Sequence, residues 1–325
     1  MRRFKLSVIV LAALGLLWQV ATAVHAEEYP SKQINWYIHS SAGGGTDIFT
    51  RVVADQLKDI LGVPIVVSSM SGGSGARMLN YMMEQPADGY TIVSLTNSNL
   101  ATMARKNTTA QREDLVGIAR GCYDPQAFMF APAVSKYKNI EELLAVAKEN
   151  PGKVKVGITH VASVDHVAAY LLAKAAGVQF EYVPFSGGGE IVVALLGGVV
   201  DVGVLNPSEV MGQVEAGNLD AMVVFVEERL DEFKEAPTAK ELGYNVEMNT
   251  WRGIAVKKGT PEEIVKKLRD AVQQVMQSEK YQKYLADNSM KPSSCMTGEQ
   301  WDAFMDAEWP LWKEIMVELG YRKES

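Results

Sequence analysis

Histidine and cysteine are scarce in this chain, with four and two copies among 325 residues. There is no HExxH pair and no G-x-S-x-G elbow, so the usual zinc-hydrolase and serine-hydrolase signatures are missing. The spacing of His160, Asp165 and His166 is weak as a metal signal, and no metal or cofactor is expected. Basic residues do not dominate either: 32 Lys and Arg stand against 39 Asp and Glu, a net charge of −7. That balance argues against nucleic acid or anionic lipid as partner. Long apolar runs are confined to Leu6 to Trp18, and nothing later in the chain reaches membrane-spanning length. Cys122 and Cys295 lie far apart in sequence, which leaves their pairing open; two buried thiols are the default reading.

What is present begins with a basic start, Arg2, Arg3 and Lys5, ahead of that apolar run. Val24-His25-Ala26 then offers small residues for cleavage, so residues 1–26 are expected to be a signal peptide cut after Ala26. Arg2-Arg3 hints at twin-arginine export, but the strongly apolar run favours the general secretory route. The expected location is the periplasm.

Ser40-Ser41-Ala42-Gly43-Gly44-Gly45-Thr46-Asp47 is the most informative stretch. It joins an apolar run, Ile34 to Ile38, to a helical pattern of Ile48, Val52, Val53, Leu57, Ile60 and Leu61. A glycine-rich link there leaves backbone N–H groups pointing out at the positive end of a helix, which binds anions without a cationic side chain. The Lys-Ser/Thr ending of a nucleotide P-loop is missing, and G-x-G-x-x-G is incomplete. An anion smaller than a nucleotide, a carboxylate, fits best.

Strand and helix signals alternate nearly throughout, the pattern of an α/β protein with mostly parallel sheets. Expected strands are Ile65 to Val67, Tyr90 to Leu95, Val154 to Ile158 and Val199 to Leu205, the second of them ending in Thr96-Asn97-Ser98-Asn99. Ile140 to Ala147 reads as helix, and Ser163 can cap the helix carrying Val167, Leu171 and Leu172. Gly187-Gly188-Gly189 opens another helix, which Gly197-Gly198 stops. Thr260-Pro261-Glu262-Glu263 predicts a capped helix over 261–277, and Thr297-Gly298-Glu299-Gln300 starts the last one. The aromatic face of that last helix, Trp301, Phe304 and Trp312, reads as packing. No repeat or flexible linker interrupts the chain.

Taken together, Tyr29-Pro30-Ser31-Lys32-Gln33-Ile34, Gly43-Gly44-Gly45-Thr46-Asp47, Asp88-Gly89-Tyr90-Thr91, Pro151-Gly152-Lys153 and Ser163 to His166 form a recognisable series. Pro184-Phe185-Ser186-Gly187-Gly188-Gly189, Gly197 to Asp201, Pro237-Thr238 with Glu241-Leu242-Gly243, and Thr250-Trp251-Arg252-Gly253 with Gly259-Thr260-Pro261 continue it in order. The set resembles the extracytoplasmic solute receptors of tripartite tricarboxylate transporters, the Bug family.

The resemblance implies a type II periplasmic-binding-protein fold, with two α/β lobes and a ligand cleft between them. Lobe 1 would hold residues 27–128 and 251–325, and lobe 2 residues 129–250. It further implies a monomeric receptor that binds a small organic carboxylate (a di- or tricarboxylate, an amino acid or an aromatic acid) and hands it to the permease subunits. The implied ligand contacts are Ser41, Ala42, Gly44, Thr46 and Asp47 from lobe 1, joined by Asn97, and Thr159, His160 and Ser163 from lobe 2. Phe185, Gly187, Gly188 and Asn206 would line the same cleft. The family's proline and aromatic before the first glycine loop are replaced here by His39 and Ser40, so a more polar first wall is expected. Asp47 is expected to orient loop amides rather than meet an anion. Arg252 fits either a second ligand carboxylate or an interlobe ion pair. Two alternatives stay open: a receptor presenting its ligand to a membrane sensor kinase, and a secreted hydrolase drawing on His39, His160 or His166 with Asp47, Asp165 or Asp201.

Overall fold

The computed structural model describes residues 28–323, so the expected signal peptide lies outside the described residues. In chain order, β1 (Ile34–Ile38), α1 (Gly45–Leu61), β2 (Ile65–Ser69), α2 (Ala76–Glu84), β3 (Thr91–Thr96), α3 (Asn97–Ala104) and β4 (Leu115–Pro125) come first. β5 (Ala127–Phe130), α4 (Ile140–Glu149), β6 (Lys155–Ile158), α5 (Val164–Ala176), β7 (Glu181–Pro184), α6 (Gly188–Leu196), β8 (Val202–Leu205), α7 (Pro207–Glu215) and β9 (Asp220–Val224) follow. The chain closes with β10 (Asn249–Lys257), α8 (Glu262–Met276), α9 (Glu279–Ala286), β11 (Met296–Thr297) and α10 (Gly298–Glu318). No helix among the described residues is long and apolar enough to cross a membrane.

Two sheets result, one of six strands in the order β11-β4-β10-β3-β1-β2 and one of five in the order β7-β6-β8-β5-β9. Each is mixed. β1 runs parallel to β2 and β3, and β6 runs parallel to β7 and β8, as the alternating pattern predicts. The crossing strands break that rule: β10 is antiparallel to β3 and β4, and β5 is antiparallel to β8 and β9. A chain that leaves one lobe and returns to it runs back along its own sheet, which sets antiparallel strands on one side of a parallel block that reaches the other edge.

Each sheet is packed on both faces. Ile34 and Trp36 of β1 point with Phe49, Leu57, Leu268 and Tyr281 into one core, while Val93, Leu95, Leu100 and Trp301 fill the other face. Fully burying an Ile, Leu or Phe contributes about 1.5–3 kcal/mol, so these layers hold each lobe together. The second sheet is sandwiched likewise, by Ile140, Leu143 and Leu172 on one side and Ile191, Leu195 and Phe233 on the other. Trp301 and Trp312 are buried packing residues, as their spacing predicts.

The lobe boundaries shift slightly from the expected ones. Phe128 pairs with Val204 and Val223 in the second sheet, so the outward crossing falls at Gln126. Asn249 and Thr250 already pair with Pro125 and Asp124, so the return is complete before Trp251.

Local expectations needed correction too. The strand expected from Val199 starts only at Val202, because Gly198 adopts φ +65° and leaves Val199 58% exposed. Asn97-Ser98-Asn99 is not a strand tail but the first turn of α3, where Thr96 N donates to Asn99 Oδ1 at 2.8 Å. Thr260 does not cap α8; its hydroxyl donates back to Lys257 O at 2.7 Å, and the helix begins at Glu262. Thr297 does precede α10, but its side chain makes no capping bond. Both cysteines are free thiols: Cys122 is fully buried, and Cys295 donates to Gly121 O at 2.9 Å.

Candidate functional site

The C-terminal ends of β1, β3, β6 and β8 meet across the gap between the sheets, and each leads into a helix that starts there. Backbone N–H groups of a helix's first turn have no partner within the helix, so each start is a local positive pole. The starts of α1 (Gly45, Thr46), α3 (Ser98), α5 (Val164, Asp165), α6 (Gly188) and α7 (Glu209) all border one cavity, with His39, Ser40, Thr96, Thr159, His160 and Arg252 between them. The cavity is about 40 Å³. An organic acid therefore enters only when the lobes part.

The lobes are held together by direct bonds across it. Gly45 N donates to Glu209 Oε1 at 2.8 Å, Val164 N to Ser98 Oγ at 3.0 Å, and Ser41 N to Ser186 O at 3.4 Å. The closed lobes leave little room for a side chain at two points. A Cβ on Gly45 would stand 2.1 Å from Arg252 Nη2, and one on Gly187 would stand 2.2 Å from Ser41 Oγ.

At the floor, Arg252 and Asp124 form a wholly buried ion pair within lobe 1. Arg252 also donates to Asn206 Oδ1 at 3.2 Å, and Ser208 Oγ donates to Asp124. Burial works against the Arg252 charge, but the adjacent Asp124 carboxylate more than offsets it and holds the guanidinium above its ordinary value. Its charge is thus already matched inside the protein. Asn206 reinforces the floor by donating Nδ2 to Asp124 O at 3.1 Å and Pro125 O at 2.6 Å.

The side chains on the walls are mostly uncharged. Burial, with help from His160 and Arg252, lowers His39 to about 3, and burial lowers His160 to about 4. Both are neutral at pH 7, with their rings 6.0 Å apart and nearly parallel. Burial lifts Asp165 to about 6; bonds from Thr159 oppose the shift and the charge of Glu209 adds to it. His39 Nδ1, Ser40 Oγ, Thr96 Oγ1, His160 Nδ1 and Arg252 Nε are buried without a hydrogen-bond partner. Orphaned polar atoms of this kind are rare in protein interiors, and these five line one cavity.

Of the residues expected at the site, Gly44, Thr46, Thr159, His160, Gly187, Gly188 and Asn206 line the cavity. Ser41 lies beside it, bonded to Ser186, and Ala42 is exposed. Asp47 accepts from Gly43 N at 3.0 Å and from Arg51 at 2.8 Å, so it braces the loop. Ser163 is fully buried as the cap of α5, accepting from His166 N at 3.2 Å. Besides Ala42 and Ser163, three more placements differ from expectation. Asn97 turns to the hinge and donates to Asn249 O at 2.9 Å. Phe185 packs into the apolar layer with Ile191 and Leu195 instead of the cleft, because the alternation of β7 carries it to the other face. Thr159 lines the cavity, yet its N–H and hydroxyl are both spent on Asp165. His166 accepts from Ala162 N at 3.0 Å and stacks edge-on against Tyr182, a structural role.

The sequence reading missed Glu209. Its signal was present as Asn206-Pro207-Ser208-Glu209, a capping box in which Asn206 N donates to Glu209 Oε2 at 3.2 Å. That pattern predicts the helix start but not the second bond to the opposite lobe.

Two α/β lobes closing on a cavity ringed by helix N-termini define a solute-binding protein. The chain matches the model of the tripartite tricarboxylate transporter family receptor over residues 49–321 and belongs to that family. A relative from Cupriavidus necator, the UPF0065 protein in the gbd 5' region, is 33% identical over 96% of this chain and 94% of its own. Protein BugT of Bordetella pertussis is 29% identical over 93% of each chain. Among solved structures, a periplasmic transporter superposes with a TM-score of 0.83 at 28% identity, covering 91% of this chain and all of that one. Two Rhodopseudomonas palustris proteins at 23% identity share the fold. MatC with bound malate has a TM-score of 0.79 over 88% of this chain and 99% of its own; Rpa4515 with adipate has 0.81 over 90% and 99%.

Proposed function

We propose that this protein is an extracytoplasmic receptor that takes up a small organic carboxylate and delivers it to a tripartite tricarboxylate transporter permease. The observation that carries the reading is the convergence of the α1, α3, α5, α6 and α7 N-termini, contributed by both lobes, on one cavity lined with unpartnered polar atoms. Such poles attract a carboxylate, and a ligand bridging them favours the closed form over the open one. The neighbours solved with malate and adipate support this ligand class. A hydrolase reading has no comparable support: Ser163 is spent as a helix cap, and His166 is bonded to Ala162 N.

A thermal-shift screen of di- and tricarboxylates, amino acids and aromatic acids tests the proposal. A true ligand at a hundred times its Kd stabilises the protein by about 2.7 kcal/mol, a shift of several degrees. Failure of every carboxylate to raise the melting temperature, with turnover of an ester or amide instead, would overturn it.

A further inference from the structure

A receptor for anions ordinarily presents cations or bare amides to its ligand. This cavity presents carboxylates as well. Glu209 and Asp165 both line it, and the one cation among its lining residues, Arg252, is already matched by Asp124 behind it. His39 and His160 are buried and add no compensating charge at neutral pH. The Glu209 carboxylate, moreover, stands where a ligand carboxylate would be expected. It accepts from Gly45 N at the start of α1 and from Asn206 N at the start of α7, and a Cβ added to Gly188 at the start of α6 would fall 2.6 Å from it. Two helix starts thus already bond a negative charge supplied by the protein itself, and a third lies beside it.

We propose that Glu209 sets the charge of the ligand: the cavity takes a small molecule with a carboxylate at one end and a protonated amine at the other, the amine being accepted by Glu209. This rests on the carboxylate-receptor reading above. The ligand's carboxylate then belongs at the remaining poles, by Thr96, Ser98 and Ser40, where the lining side chains are neutral and Thr96 Oγ1 and Ser40 Oγ lack partners. A dicarboxylate of the same length would set its second negative charge against Glu209 and Asp165, and like charges at hydrogen-bond range repel. A zwitterion replaces that repulsion with a charge-assisted bond, about twice as strong as a neutral one.

The test is calorimetric titration of the full chain with matched pairs, 6-aminohexanoate against adipate and 4-aminobutanoate against succinate, in the wild type and in Glu209→Gln. Glutamine also serves at this capping-box position, so the variant keeps the α7 start while losing the charge. The wild type should bind the amine-bearing member of each pair at least about tenfold more tightly. Glu209→Gln should erase or reverse that preference, weakening the amine-bearing ligands and tightening the dicarboxylates. If the wild type prefers the dicarboxylate, or if Glu209→Gln tightens every carboxylate alike, Glu209 is only a competitor for the amides and the proposal is overturned. The wild-type pairs decide the matter even if the variant does not fold. If neither member of any pair binds the wild type, and the wider carboxylate screen is also silent, the receptor reading itself fails.

Discussion

Lobe 1 brings to the cleft a glycine loop, the neutral ring of His39, the hydroxyls of Ser40, Thr96 and Ser98, and an Arg252 whose charge Asp124 matches. Lobe 2 brings glycines at Gly187 and Gly188, but it sets two acidic side chains, Asp165 and Glu209, at the helix poles beside them. Arg252 aside, lobe 1 lines the cavity with neutral side chains, whereas lobe 2 supplies the carboxylates, and Glu209 reaches across to the lobe 1 pole at the α1 start. Because both walls are built from the same strand-to-helix geometry, the difference lies in single side chains rather than in fold. Receptors of one architecture can therefore differ widely in ligand charge.

The largest expected effect breaks the lobe 1 side of this contrast. Arg252→Met strands Asp124 as an unpaired buried carboxylate and should cost about 3–5 kcal/mol of stability, measured by urea unfolding. A loss under about 1 kcal/mol would mean that Asp124 finds protons or other partners and that the matched charge is not what keeps this floor neutral.

A smaller effect tests the neutral histidines. Their folded values, about 3 for His39 and about 4 for His160, lie below the ordinary 6.5, so below pH 6.5 the unfolded chain binds protons that the folded chain refuses. Stability then falls with pH, each histidine costing about 2 kcal/mol by pH 5. Asp165 runs the other way: its folded value near 6 lies above the ordinary 3.8, so its contribution grows as pH falls through that window. Comparing the wild type with a His39→Asn, His160→Asn double variant cancels the aspartate. The variant should lose markedly less stability between pH 7 and 5, and equal losses would show that the rings are charged in the native state.

The smallest effect is confined to binding. Gly44 has φ −79°, and a Cβ there would meet nothing closer than 3.7 Å, so Gly44→Val should fold normally. Its branched methyls would crowd the amides of the α1 start and weaken binding about tenfold, or about 1.4 kcal/mol, by calorimetry. Unchanged affinity would make lobe 1's loop a turn and nothing more, leaving recognition to lobe 2.

The sequence made the frame of the site readable because local rules govern it. The apolar run from Ile34 to Ile38, the glycines after it and the helical spacing beyond predict β1, the loop and α1 together. The Ser163 cap and the bracing role of Asp47 follow from the same short-range chemistry. What stayed hidden depends on partners far along the chain. Asp124 lies 128 residues from Arg252, and Glu209 lies 164 residues from Gly45. No local pattern marks either pairing. Phe185 was misplaced because its neighbours in the glycine motif do face the cleft, while strand alternation sends its own ring to the core. β4, the longest strand, went unread because Gly117, Arg120 and Gly121 interrupt its apolar pattern; Arg120 is buried there against the rings of Tyr123 and Phe304.

One further contact bears on timing. Ala162, Val164 and Val167 of lobe 2 are buried in the same apolar layer as Leu100 and Trp301 of lobe 1. Parting the lobes must expose those methyl groups to water, so the resting receptor pays a toll each time it opens, whether or not solute is near. Any solute bound between the lobes must wait for that opening to enter, and leaves no faster than the same greasy seam lets go.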